Sequence, residues 1–217
     1  MGVLVRKSLS LLMLAAAAGC GGGHSQQSVP PKPSPFLNRP MVAAALAGQK
    51  VAVLPLTLAV PDVALSSDPL LGVRTKVLPW ADSLILNALT NRAPEVEWVG
   101  PEALRKVARR SIGFATDPDH MGHAILRDPL FKVVPDPLRS QIRTLVALID
   151  ARYALVPASA VFLKEVDGSV RVEICFVLVD ARTGTPGWRS IATGFGPNAA
   201  QAYRAALAAV LPVEGVQ

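Results

Sequence analysis

Val170-Arg171-Val172-Glu173-Ile174-Cys175-Phe176-Val177-Leu178-Val179 decides the fold. Val170, Val172, Ile174, Phe176 and Leu178 share one face, and alternation at period two marks a strand. The opposite face begins with Arg171 and Glu173 and turns apolar at Cys175, Val177 and Val179. Just before it, Asp167-Gly168 predicts a two-residue hairpin turn with both residues at positive φ. Tyr153 to Glu165 supplies the preceding strand, and Pro157 inside it predicts an edge position or a bulge. On the other side, Asp180-Ala181-Arg182-Thr183-Gly184 reads as a second turn and Trp188 to Phe195 as a third strand. Pro197 and Asn198 open a last helix. Its inner stripe is Ala199, Ala202, Tyr203, Ala206, Leu207, Val210 and Leu211.

Toward the N-terminus, strands and helices alternate. Lys50 to Leu56 is an apolar run suited to a buried strand. Residues 57–78 read as irregular, with Pro61 and Pro69. Residues 79–92 read as a helix opened by Pro79, with Leu84, Ile85, Ala88 and Leu89 as its stripe. Val96-Glu97-Trp98-Val99 is a short strand, and Pro101 opens a second helix. Residues 111–136 are broken by prolines, and Pro137 starts a third helix carrying Leu138, Ile142, Leu145, Val146 and Ile149. The order β-α-β-α-α-β-β-β-α predicts an α/β sandwich with a mixed sheet.

Residues 1–19 read as a secretory signal: Arg6 and Lys7, then a short apolar run ending in small residues. Cys20 follows Ala18-Gly19, which resembles a bacterial lipoprotein signal. That resemblance implies cleavage before Cys20 and a covalent lipid on it, with no other cofactor. The apolar run is too short to span a bilayer, which takes about 20 residues. Ala17 departs from the leucine common in such signals, and cleavage among the alanines would instead release a secreted protein. Gly21, where an aspartate would signal inner-membrane retention, implies the outer membrane, facing the periplasm. Residues 20–40 read as a Pro/Gly tether and residues 41–217 as one globular domain. Losing Arg6 and Lys7 lowers the formal net charge of +6 by two. Such mild basicity on an anchored envelope protein points away from nucleic acid. Cys175, in its apolar strand, reads as a buried structural thiol.

Val51-Ala52-Val53-Leu54-Pro55-Leu56 and Phe176-Val177-Leu178-Val179-Asp180-Ala181-Arg182-Thr183-Gly184, with Trp188 beyond, carry a wider resemblance. The arrangement is similar to curli-export lipoproteins, to the amino-terminal domain of the TolB family, and to outer-membrane lipoproteins that activate penicillin-binding proteins. The likeness implies a binding or assembly module with an envelope protein partner, and it transfers no catalytic residue. An oligomeric export component is the alternative it carries, although residues 57–78 and 111–136 lack the alternation of a membrane barrel.

Asp117, Asp119, His120 and His123 form the sharpest polar cluster. Two histidines three apart with two carboxylates suit Zn²⁺ or a similar ion, as a metal-binding protein or metal-dependent hydrolase. The other reading is a solvated loop with an Asp-Pro turn. Arg105, Lys106, Arg109 and Arg110 suit contact with an anionic surface, or else a solvated helix face. Gly194-Phe195-Gly196-Pro197-Asn198 precedes a helix, as some anion cradles do, but lacks the Lys-Ser/Thr of a phosphate loop. Ser159 and Ser190 have no nucleophile-elbow context. The chain thus reads as a binding protein rather than an enzyme.

Overall fold

The alternation between residues 153 and 196 folds as the antiparallel meander it predicts. In the computed structural model, which describes residues 34–211, the elements in chain order are β1 (Lys50–Val53), β2 (Ala59–Pro61), α1 (Arg74–Arg92), β3 (Glu97–Val99), α2 (Pro101–Arg110), α3 (Leu138–Leu148), β4 (Tyr153–Lys164), β5 (Val170–Asp180), β6 (Thr185–Gly196) and α4 (Ala199–Val210). Short 3-10 turns lie at Ala43–Leu46, Val63–Leu65, Pro118–His120 and His123–Arg127. The signal, Cys20 and the tether as far as residue 33 lie outside the described residues.

One mixed, open sheet runs β3-β1-β4-β5-β6, with β2 also paired to β4. β1 lies parallel to β3 and β4, while β4, β5 and β6 are antiparallel. Helices cover both faces. β1 shows why: Val51 and Val53 enter one core with Ile85 and Leu89 of α1 and Tyr203 and Leu207 of α4. Ala52 and Leu54 enter the other, with Leu104 of α2 and Ile142 and Leu145 of α3. Cys175 is buried in that second core, and burial pushes its thiol pKa up. Arg171 and Glu173, at the start of β5, pair with each other, and Arg171 also binds Glu165.

Four local readings differ from the sequence expectation. α1 starts at Arg74, not at Pro79. Pro79 sits inside the helix, where its missing N–H leaves the Thr75 carbonyl without its i+4 donor. β2 lies in the stretch read as irregular, because only its pairing with β4 makes it a strand. The 165–169 turn has Gly168 alone at positive φ (84°). The Asp167 carboxylate accepts the Ser169 N–H at 2.8 Å, so the aspartate serves the turn through its side chain. Finally, residues 36–40, read as the end of the tether, lie along β6. Ile191 N–H donates to the Phe36 carbonyl (2.8 Å), Asn38 N–H to the Ile191 carbonyl (2.9 Å), and the Trp188 indole to the Pro40 carbonyl (3.0 Å). An edge strand otherwise presents unpaired backbone, and this strap covers part of it.

Pro157 is at a bulge, not an edge, since β4 has partners on both sides. α4 opens at Asn198, whose side chain accepts the Gln201 N–H at 3.0 Å. Asn198→Ala removes that cap and should cost about 1 kcal/mol. Urea unfolding checks this, and an unchanged midpoint would contradict the capping role.

Candidate functional site

β1 and β2 are one strand interrupted. β1 pairs with Tyr153–Leu155 of β4, and β2 pairs with Ala160–Phe162. Leu54 N–H still reaches the Leu155 carbonyl (3.0 Å), and Ala160 N–H reaches the Leu58 carbonyl (2.8 Å). Between them Pro55, Leu56 and Thr57 take their backbone partners from side chains. Buried backbone polar groups must be satisfied somewhere, and three distant residues do it. His123 meets the Pro55 carbonyl through Nε2 at 2.8 Å. Asp82 Oδ1 accepts the Leu56 N–H at 2.7 Å. Arg74 donates to the Thr57 carbonyl at 2.7 Å.

A carbonyl only accepts, so Nε2 of His123 carries the proton. Thr57 Oγ1 lies 3.3 Å from the same nitrogen. The ring is fully buried, and burial drives its pKa from the ordinary 6.5 down to about 4. It is neutral at neutral pH.

Behind this bend stands a chain of charges. Arg105 binds Asp119 through two nitrogens, both at 2.8 Å, and reaches Asp82 Oδ2 at 3.0 Å. Burial raises the Asp82 carboxyl above the usual range, against the opposing pull of the Leu56 N–H and Arg105. Asp119 is held below its usual range by the same guanidinium.

The bend lies outside the carboxyl ends of β1 and β3. β1 leaves through α1 on one face of the sheet, and β3 leaves through α2 on the other. Such a switch point is where open α/β sheets form ligand crevices. A crevice of about 420 Å³ opens here. Arg74, Thr75 and Pro79 form one wall, Arg105, Asp119 and His120 another, with Leu56 and Thr57 as its floor. It offers the threonine side chains, His120 and the exposed Arg74.

The predicted site residues divide. Asp117 is exposed and caps its own turn, accepting the Asp119 N–H at 3.1 Å. His120 is exposed, 3.4 Å from Asp117. Asp119 faces Arg105, and His123 faces the Pro55 carbonyl. The four do not converge on one point, and among the described residues no three His, Cys, Asp or Glu side chains are placed to hold a metal ion. In the basic run, Arg105 turns inward, while Lys106, Arg109 and Arg110 stay exposed. Gly194 and Gly196 let α4 approach β6: a Cβ at Gly194 would lie 2.1 Å from the Ala206 nitrogen. Ser159 and Ser190 are buried, and Ser190 donates to the Phe36 carbonyl at 3.3 Å. Asp82, Arg74 and Thr57 escape a sequence reading. The available signal was an aspartate at helical spacing with Leu78, Ile85 and Leu89.

His123 gives the site a pH signature. Its folded pKa lies below its unfolded one, so the unfolded chain binds the proton more readily between pH 6.5 and about 4. Stability present above 6.5 is lost as pH falls through that window, by about 3 kcal/mol in all. Urea titrations across it should show the loss, and His123→Gln should remove that component. A ring that titrates near 6.5 by NMR would refute the buried assignment.

No known protein family and no curated protein matches this sequence. Solved structures similar to it include the LpoB C-terminal domain from Salmonella enterica, 17% identical, covering 70% of this chain and 84% of that one, with a TM-score of 0.36. The PelC dodecamer from Paraburkholderia phytofirmans is 18% identical, covering 79% and 91%, with a TM-score of 0.37. Lipoprotein GNA1162 from Neisseria meningitidis is 12% identical, covering 67% and 78%, with a TM-score of 0.30.

Proposed function

We propose that this chain is a lipid-anchored periplasmic binding or assembly module acting on an envelope protein complex, without catalysis. One observation carries the reading: the buried charges around the crevice are spent on one another and on the bent strand that forms its floor. Asp82, Arg105 and Asp119 are mutually bonded, and His123 is neutral, buried and tied to backbone. Such groups shape the pocket and are themselves committed, not free to act as acid, base or nucleophile. The exposed donors and acceptors at its rim suit a partner's polar groups. The anchor is Cys20, and no described helix is long and apolar enough to cross a membrane. The outer membrane, facing the periplasm, is the proposed location.

A photo-crosslinking residue at Thr75, on the crevice rim, tests this in cells. The expected product is an adduct with one envelope protein, lost when Arg74→Glu is added. The same substitution also removes the Arg74 bond to the Thr57 carbonyl and should cost about 1 kcal/mol by urea unfolding, which leaves the domain folded. No adduct from Thr75 in growing cells would overturn the assignment of the crevice.

A further inference from the structure

Past the end of α2 the molecule presents a second surface. α2 ends at Arg110, and a tight turn follows. Phe114 and Ala115 N–H groups both donate to the Ser111 carbonyl at 3.0 Å, and Gly113 takes a φ of 84°. This turn holds Ile112 and Phe114 outward, 85% and 83% exposed. Beside it Leu148, 43% exposed, ends α3. Phe114, Leu148, Arg110 and Arg143 line a groove of about 560 Å³ between the two helix ends.

Cations stand behind the apolar tip. Lys106, Arg109 and Arg110 occupy the last two turns of α2, and Arg143 sits on α3 a turn before Leu148. Arg109 pairs with Glu102 at 3.3 Å, whereas Lys106, Arg110 and Arg143 form no ion pair among the described residues. Cations near a helix C-terminus complement its dipole, which accounts for Arg109 and Arg110. It does not account for two large apolar side chains held in water by a hydrogen-bonded turn.

We infer that this tip is a second membrane contact: Ile112 and Phe114 enter the acyl boundary of an anionic bilayer while Lys106, Arg110 and Arg143 meet its lipid phosphates. The order of groups favours a bilayer over a protein groove. Apolar side chains form the apex and cations the collar, matching acyl chains below phosphates. The reach is sufficient. Cys20 lies 16 residues before Phe36, where the strap joins β6, and an extended chain spans about 3.3 Å per residue. One lipid signal with one basic patch is a combination that secures stable attachment. The inference rests on the anchor proposed above.

The test uses the acylated full-length protein reconstituted in vesicles. Ile112→Cys, labelled with a polarity-sensitive fluorophore, reports on the tip, and Val166→Cys on the exposed β4–β5 turn serves as control. In phosphatidylethanolamine with phosphatidylglycerol, the label at 112 should shift to the blue and resist a water-soluble quencher, and the label at 166 should not. Arg110→Gln and Arg143→Gln should each move the shielded-to-exposed ratio about fivefold toward water. Phosphatidylcholine vesicles should do the same. A label at 112 that stays in water on anionic vesicles overturns the inference and assigns the tip to a protein partner. Equal shielding at 112 and 166 also overturns it. Mass spectrometry of the N-terminal peptide separates the two readings: an unmodified Cys20 removes the anchor and the inference together, while an acylated Cys20 with a water-exposed tip removes only the second.

Discussion

Arg105→Ala should destabilise the protein by about 3–5 kcal/mol, the cost of breaking a buried ion pair from one side. Asp82 stays at 6% exposure with no cation, and Asp119 loses both its bonds. The deficit should depend on pH. Burial holds the Asp82 carboxyl above its ordinary 3.8, so its contribution to stability falls as pH rises from there through the folded value. Without Arg105 that value rises further and the fall deepens. Asp119 runs the other way: its low folded pKa stabilises the fold above 3.8, and that gain is lost as pH falls through the folded value. The variant lacks the gain. Both effects make the deficit largest at neutral pH and smallest in acid. Urea midpoints of wild type and variant, at neutral pH and below 3.8, read this directly. A deficit equal at both would show that Arg105 acts by packing alone. Arg105→Lys should recover only part, since an ammonium cannot reproduce the two-nitrogen grip on Asp119.

Gly194→Ala should lower stability by about 3 kcal/mol, a fall in Tm of roughly 6–12 °C. The new Cβ would lie 2.1 Å from the Ala206 nitrogen and 2.4 Å from the Ala202 carbonyl oxygen. Both are backbone atoms, so α4 must shift as a body. Gly187→Ala, with nothing within 4 Å of its Cβ, is the matched control on the same strand. Thermal melts decide it, and equal Tm values for the two variants would sink the close-approach argument. The same contact explains why Gly194-Phe195-Gly196 precedes a helix without cradling an anion.

The meander, α3 and α4 were legible because their patterns are local. Alternation along Val170–Val179 and the helical stripe of α4 need only neighbours in the chain. The change from Glu173 to Cys175 on the second face of β5 coincides with where the second core covers it. β2 was hidden because three residues ending at a proline carry no pattern. α1 was shortened because Pro79 reads as a first-turn residue, yet it sits five residues past the start of the helix, which continues through it with one backbone hydrogen bond fewer. The site was least legible. Arg105 meets Asp82 and Asp119 across separations of 23 and 14 residues, and His123 meets Pro55 across 68. The histidines stood out by type, but the ring that matters is buried against a carbonyl. Asp82, the aspartate under the bend, lay inside a stripe that looked like core.

The strap on β6 has a mechanical meaning. A protein tethered to one layer and gripped by a partner is pulled along its own chain. The load arrives first at Phe36, where two backbone hydrogen bonds to Ile191 stand between the tether and the sheet. The β5–β6 ladder behind them is paired from Val170 to Asp180. The strap should therefore peel before the domain yields, and its five residues would pay out about 17 Å of line. On the anchor and partner proposed above, it would act as a fuse and a reserve of slack, letting the gap between the two widen while the fold stays intact.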